Sequence, residues 1–142
     1  MDTRAYQIVY TSELTVEATM RTAVLRSIAS ISQRNNAALG VTGALLVAGD
    51  RVVQLLEGEE GCVREVLSRI EADVRHVNVV RLAEVPDGQR SFSEWSMGVR
   101  QVPSNGPTAE ALAGLLAAYR SAFCFDLDDF AQIVRQAFLI DA

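Results

Sequence analysis

Apolar residues recur along this chain with two different periods, and the switches between them mark its elements. Residues 6–12, YQIVYTS, alternate, with Tyr6, Ile8 and Tyr10 on one side, the pattern of a strand. From Thr15 to about Asn36 the spacing becomes three and four: Val16, Met20, Val24, Ile28 and Ile31 share one face of a helix, opposite Arg21, Arg26 and Gln33. Asn35 and Asn36 close that helix and the chain turns near Gly40. Two short apolar runs, 41–48 and 51–58, are joined by Gly49-Asp50 as a tight hairpin. A second helix is predicted from about Glu59 to Val74, striped by Val63, Val66, Leu67, Ile70 and Val74, with Glu59 and Glu60 at the positive end of its dipole. Residues 77–85 and 95–102 read as two further strands, separated by PDGQRSFSE.

The order strand, helix, strand, strand, helix, strand, strand is the split βαβ arrangement with one strand added. It predicts an α+β, ferredoxin-like fold: a five-stranded mixed sheet with two helices on one face, placed there by right-handed crossovers. After the turn formers of PSNGP, 103–107, the composition changes. Leu112, Leu115, Leu116, Tyr119 and Phe123 stripe one helix over 108–123, and Phe130, Ile133, Val134, Ala137 and Phe138 stripe another over 126–139. These two C-terminal helices are expected to pack on the other sheet face. The chain thus divides into residues 1–102 and a two-helix extension, 103–142.

That arrangement makes one residue conspicuous. In the run 50–58, DRVVQLLEG, Val52, Gln54 and Leu56 face one way and Val53 and Leu55 the other, so both faces are apolar and Gln54 is buried whichever way it points. Each amide group left unpaired there costs about 1–3 kcal/mol, so Gln54 needs partners.

Charge and composition narrow the classes. The 142 residues carry 13 cations against 18 acids, a net charge of −5, which disfavours nucleic acid and anionic membrane as partners. All the cations are arginine. Cys62 and Cys124 lie far apart with no metal or redox spacing, which suits free thiols in a reducing cytoplasm. The N-terminus has no basic segment followed by an apolar one, and no apolar run approaches the roughly 18 residues of a membrane span. Phosphate-binding glycine loops, C-x-x-C and G-x-S-x-G are absent. His76, the single histidine, has no partner close in sequence and reads on its own as structural.

What remains is a set of polar or unusual side chains where a fold wants carbon: Tyr10 at the end of the first strand, Asn35 and Asn36 at the end of the first helix, Gln54 inside the third strand, and Trp95 with Met97 opening the last. Each has an ordinary structural reading. Asn36 reads as a helix terminator and Tyr10 as a packed aromatic. Three functions compete for the set: a cofactor-binding domain, a cofactor-free ferredoxin-like scaffold in which Tyr10 and Gln54 satisfy each other, and a small hydrolase of acylphosphatase type. The turn TSELT lacks the glycines and arginine an anion cradle requires, which counts against the hydrolase.

The segments IVYTS, SQRNNAALGVTGALL, VVQLLEG, DVRHVNV and FSEWSMG closely resemble, in this order and at similar spacing, the signatures of BLUF domains, blue-light sensors that use FAD. The resemblance covers residues 6 to about 102, and the last two helices resemble the tail of short single-domain members. It implies FAD between the two helices of the first pair. Tyr10 then matches the photochemical tyrosine, Gln54 the switching glutamine and Asn36 the asparagine at the flavin carbonyl edge. Asn35 matches its neighbour at the rim, and Ile28 and Ile70 the apolar residues flanking the ring. Arg69, Asp73, Arg75 and His76 match the polar end of the second helix and the turn after it, and Trp95 and Met97 the output segment. Two departures, Val52-Val53 in place of phenylalanine and a longer segment after Tyr10, bear on recovery kinetics. The implied mechanism moves an electron and a proton from Tyr10 through Gln54 and leaves the glutamine rearranged, by rotation or change of tautomer. With the charge and cysteine usage above, the chain is expected to be a cytoplasmic sensor that is not itself an enzyme, forms a homo-oligomer and signals to a separate protein, without nucleic acid or membrane.

Overall fold

The central pair of the sheet is β1 (Arg4–Leu14) against β3 (Arg51–Gly58), antiparallel and in register over eight residue pairs from Tyr6↔Gly58 to Glu13↔Arg51. In the computed structural model, which describes residues 4–140, this pair is flanked by β2 (Thr42–Ala48) and β4 (His76–Gln89), and β5 (Gly98–Val102) lies parallel to β2. The order is β4-β1-β3-β2-β5. Helices α1 (Arg21–Leu39) and α2 (Glu60–Glu71) follow β1 and β3, and α3 (Pro107–Ala122) and α4 (Leu127–Ile140) close the chain. Residues 1–3 and 141–142, the outer ends of the two expected segments, lie outside the described residues.

Strand alternation splits the interior into two cores. Tyr6, Ile8, Tyr10, Leu45, Val47, Val52 and Leu56 meet Leu25 of α1 and Val63, Val66 and Leu67 of α2. Val9, Ala44, Leu46, Val53 and Leu55 meet Leu112 and Leu116 of α3 and Phe130, Val134 and Ala137 of α4. Both faces of β3 are therefore covered, as its two-sided apolar pattern predicts. Gly43 lets β2 and β3 approach this closely: its φ is +157°, and a Cβ there would lie 2.0 Å from the Leu55 carbonyl oxygen.

Element ends differ from the expected ones where tertiary contacts decide them. The chain makes a short 3-10 turn at Ala18–Met20 and α1 starts at Arg21, leaving Met20 and Ile31 exposed. Asn36 does not terminate α1; it is a buried residue within it, and Gly40 is the left-handed cap at φ +68°. Helix α2 stops at Glu71, so Val74 falls outside the stripe and is exposed, and Phe123, at the left-handed end of α3, is exposed too. Strand β4 takes in Pro86–Gln89, because Arg4 and Ala5 of β1 pair with Gln89 and Gly88. Strand β5 starts at Gly98, so Trp95 and Met97 precede it instead of opening it. Both cysteines are free.

Phe130 is fully buried in the core beneath α3 and α4. Phe130→Ala is expected to lower stability by about 3–5 kcal/mol in urea unfolding, because the cavity adds to the lost transfer energy.

Candidate functional site

The β1–β3 register sets Tyr10 directly opposite Gln54, with both side chains on the face covered by α1 and α2. Both are buried, at 2% and 4% exposure, so each must find partners inside the protein. The Tyr10 hydroxyl donates to Gln54 Oε1, and Gln54 Nε2 donates to Met97 Sδ at 3.2 Å. Met97 therefore belongs to this core. Trp95 packs against the other one, its ring stacked on Phe92 at 5.1 Å between centroids and tilted on Phe138 of α4 at 4.7 Å. The five residues from Phe92 to Ser96, although no strand, are tied down: Gly43 N–H donates to the Trp95 carbonyl at 3.1 Å, and Asn36 Nδ2 to the Ser96 carbonyl at 3.1 Å. Gln33 Nε2 holds the Met97 carbonyl at 3.0 Å.

Over the Tyr10–Gln54 pair, a cleft between α1 and α2 consists of two adjoining hollows that share Ile28, Ser32, Gln54, Ile70, Asp73 and Arg75. The inner one also reaches Tyr10, Leu25, Val52 and His76; the outer one reaches Asn35, Asn36 and Arg69. Every residue expected to bind the cofactor thus lies on this cleft, whereas Trp95 and Met97 line a separate groove with Gln33 and Phe138. Leu25 and Ser32 were not singled out by sequence. Ser32 lies one turn from Ile28, a spacing that places it on the same helix face. Greasy walls with amides and a charged end fit a flat, largely apolar ring that carries donors and acceptors on its rim.

The polar end is internally braced. His76 Nε2 is 2.6 Å from the Ile70 carbonyl, which only accepts, so this nitrogen carries the proton. Nδ1 lies 2.8 Å from the hydroxyl of the buried Ser12. His76 thereby ties the end of α2 to β1. Arg75 Nε and Asp73 Oδ1 are 2.9 Å apart, and this bond holds the Asp73 carboxyl below the usual carboxylate range. Arg69 is exposed and paired with Glu65 at 2.8 Å.

Burial pushes the Tyr10 phenol well above its ordinary value, and the Asp73 and Glu71 charges push the same way. Burial, with the hydrogen bond to Glu84, raises Tyr6 to about 12. Above a pH of about 10 the unfolded chain loses these phenol protons while the folded one keeps them, so stability falls as pH rises, by about 1.4 kcal/mol per unit per phenol. The Tyr6 contribution ends near its folded value of about 12. Urea midpoints measured from pH ~9 to ~11 should show this decline, and a shallower decline in Tyr10→Phe.

Known proteins place the fold and the family. A family model described as sensors of blue-light using FAD matches residues 5–98, which stops where β5 begins and leaves α3 and α4 beyond it. The photoactivated adenylate cyclase subunit beta of Euglena longa is 34% identical over 87 residues, which are 61% of this chain but only 9% of that protein. The photo-activated state of BlsA superimposes with a TM-score of 0.71 at 23% identity, covering 94% of both chains. The dark state of BlrB, a BLUF protein, gives 0.69 at 24% identity, covering 94% of this chain and 97% of that one. Neither a cofactor-free scaffold nor a hydrolase accords with the family match, and the chain belongs to the BLUF family, the sensors of blue light that use FAD.

Proposed function

We propose that Tyr10 and Gln54 are the photochemical pair of a blue-light receptor, and that the hydrogen bonds of Gln54 record whether light has been absorbed. One observation carries the reading: a buried carboxamide has its oxygen on a phenol and its nitrogen on a thioether, beside a cleft between two helices. Sulfur is a weak acceptor, so the donor end of Gln54 is lightly held and a better acceptor in the cleft would compete for it.

Bound FAD supplies the light absorber and, once excited, an acceptor for one electron. Ile28 and Ile70 would flank its ring, Asn35 and Asn36 would join Gln54 at the rim, and Arg69, Asp73, Arg75 and His76 would form the polar end. Tyr10 would give up an electron to the excited flavin and, because its phenol is held neutral by burial, the proton would leave at the same time to Gln54 Oε1, the atom it already bonds. The Nε2 proton of Gln54 would pass to the bound flavin, and when the electron returns to Tyr10 that proton would return with it, by way of Gln54, to the phenolic oxygen. The amide is left as a tautomer or with oxygen and nitrogen exchanged. In the exchanged arrangement Nε2 donates to the Tyr10 oxygen and Oε1 faces the Met97 sulfur. Two acceptors then meet, the hold on Met97 is lost, and in a packed interior the two arrangements are discrete.

Met97 and Trp95 sit on opposite faces of the sheet, so displacement of one reaches the other and then Phe138 of α4. On this reading residues 1–102 sense and residues 103–142 transmit, to a separate protein or to a second copy in a homo-oligomer. The chain acts as a cytoplasmic switch and not as a catalyst. Among the described residues no helix is long and apolar enough to cross a membrane.

The purified protein should be yellow, and its flavin band should move to longer wavelength under blue light and return in darkness. Tyr10→Phe should keep flavin yet lose the reversible shift; a normal shift would place the electron donor elsewhere. Gln54→Leu should also lose it, since leucine relays no proton and has no second arrangement, and a retained shift removes Gln54 from the mechanism.

A further inference from the structure

The carboxylate of Glu57 is fully buried at the end of β3, on the face opposite Gln54, and receives four hydrogen bonds. Oε2 accepts from Gln7 Nε2 at 3.0 Å and from the Ser91 backbone N–H at 2.8 Å. Oε1 accepts from the Thr42 hydroxyl at 3.1 Å and from the Phe92 backbone N–H at 2.7 Å. Neutral donors from β1, β2 and the chain after β4 thus converge on one side chain. Thr42 in turn accepts from Arg90 at 3.0 Å, which brings a cation to the edge of the cluster. Hydrogen bonds to a charged acceptor are about twice as strong as neutral ones, so the carboxylate is a firm anchor.

What it anchors is the start of the segment that ends at Met97. Ser91 and Phe92 are fastened to the sheet by Glu57, and five residues later Met97 Sδ meets Gln54. We propose that Glu57 is a positioning residue for the photochemical switch: it fixes the pivot at Ser91 and Phe92, so that a change at Gln54 is confined to the side chains of Met97 and Trp95. This rests on the function proposed above and adds to it a residue that never touches the cleft.

Glu57→Gln tests the pivot with almost no change of shape. Ser91 and Phe92 bond different oxygens, so whichever way the new amide turns, one backbone N–H meets an NH2 group and loses its partner. Phe92 is fully buried, so water does not replace that bond. The variant, loaded with flavin, should exchange its Ser91 and Phe92 amide hydrogens faster in the dark than the unchanged protein. After illumination it should recover about five-fold faster, the kinetic equivalent of one hydrogen bond. The single tryptophan, Trp95, reports on the segment directly, and its light-induced fluorescence change should shrink.

Leu116→Ala, in the core under α3, lowers stability while leaving all four donors to Glu57 in place, and should leave recovery unchanged. Equal acceleration by Leu116→Ala would reduce Glu57 to a general stabiliser and overturn the proposal, as would wild-type recovery and Trp95 response in Glu57→Gln. Should Glu57→Gln not fold, Thr42→Val, which removes one of the four donors, decides: recovery about two-fold faster supports the anchor and an unchanged rate overturns it. If the unchanged protein shows no band shift, the photochemical reading has failed instead. Amide exchange at Ser91 and Phe92 then still judges the anchor, and unaltered exchange in the variant overturns it.

Discussion

The antiparallel register of β1 on β3 is the constraint on which the site depends. It makes Tyr10 and Gln54 cross-strand partners whose side chains leave the same face of the sheet. A slip of one residue would send one of the two to the opposite face, under α3 and α4, and separate phenol from amide. That register is in turn held by the segregation of apolar side chains: Ile8, Tyr10, Val52 and Leu56 belong under α1 and α2, Val9, Val53 and Leu55 under α3 and α4. The hydrophobic effect that folds the sheet therefore also sets the geometry of a hydrogen bond.

Buried polar side chains are few, and each joins elements distant in sequence. Ser12 is bound to His76 and so to the end of α2; Thr11 Oγ1 donates to the Val52 carbonyl at 2.7 Å; Asn36 fixes Ser96; Gln7 and Glu57 hold Ser91 and Phe92. Most of these contacts end on a backbone group or a charge, partners that cannot turn away. Gln54 differs in being held by a hydroxyl and a sulfur, one able to donate or accept and the other only a weak acceptor. The contrast between firm and weak partners sets Gln54 apart as the least firmly held of these buried side chains.

Much of this was legible in the chain because alternation and helical spacing report burial directly. The two-sided apolar pattern of β3 implied cover on both faces, and the two C-terminal stripes supply it. Other features depend on contacts that no local pattern encodes. Asn36 looks like a terminator, but the Ser96 carbonyl sixty residues away accounts for its burial within the helix. Read as strand residues, Trp95 and Met97 would share a face; they are divided between the two cores because the segment before β5 is not a strand. Glu57 looks like the polar end of an apolar run, and its four donors come from three separate parts of the chain.

The sheet acts as a wall between two compartments, and along its length successive residues of one strand answer to different neighbours. Val9, Val53 and Leu55 face the core under α3 and α4, while Tyr10 and Gln54 face the side covered by α1 and α2. Descendants of such a chain are therefore free to vary the outer helices while inheriting the phenol–amide pair intact.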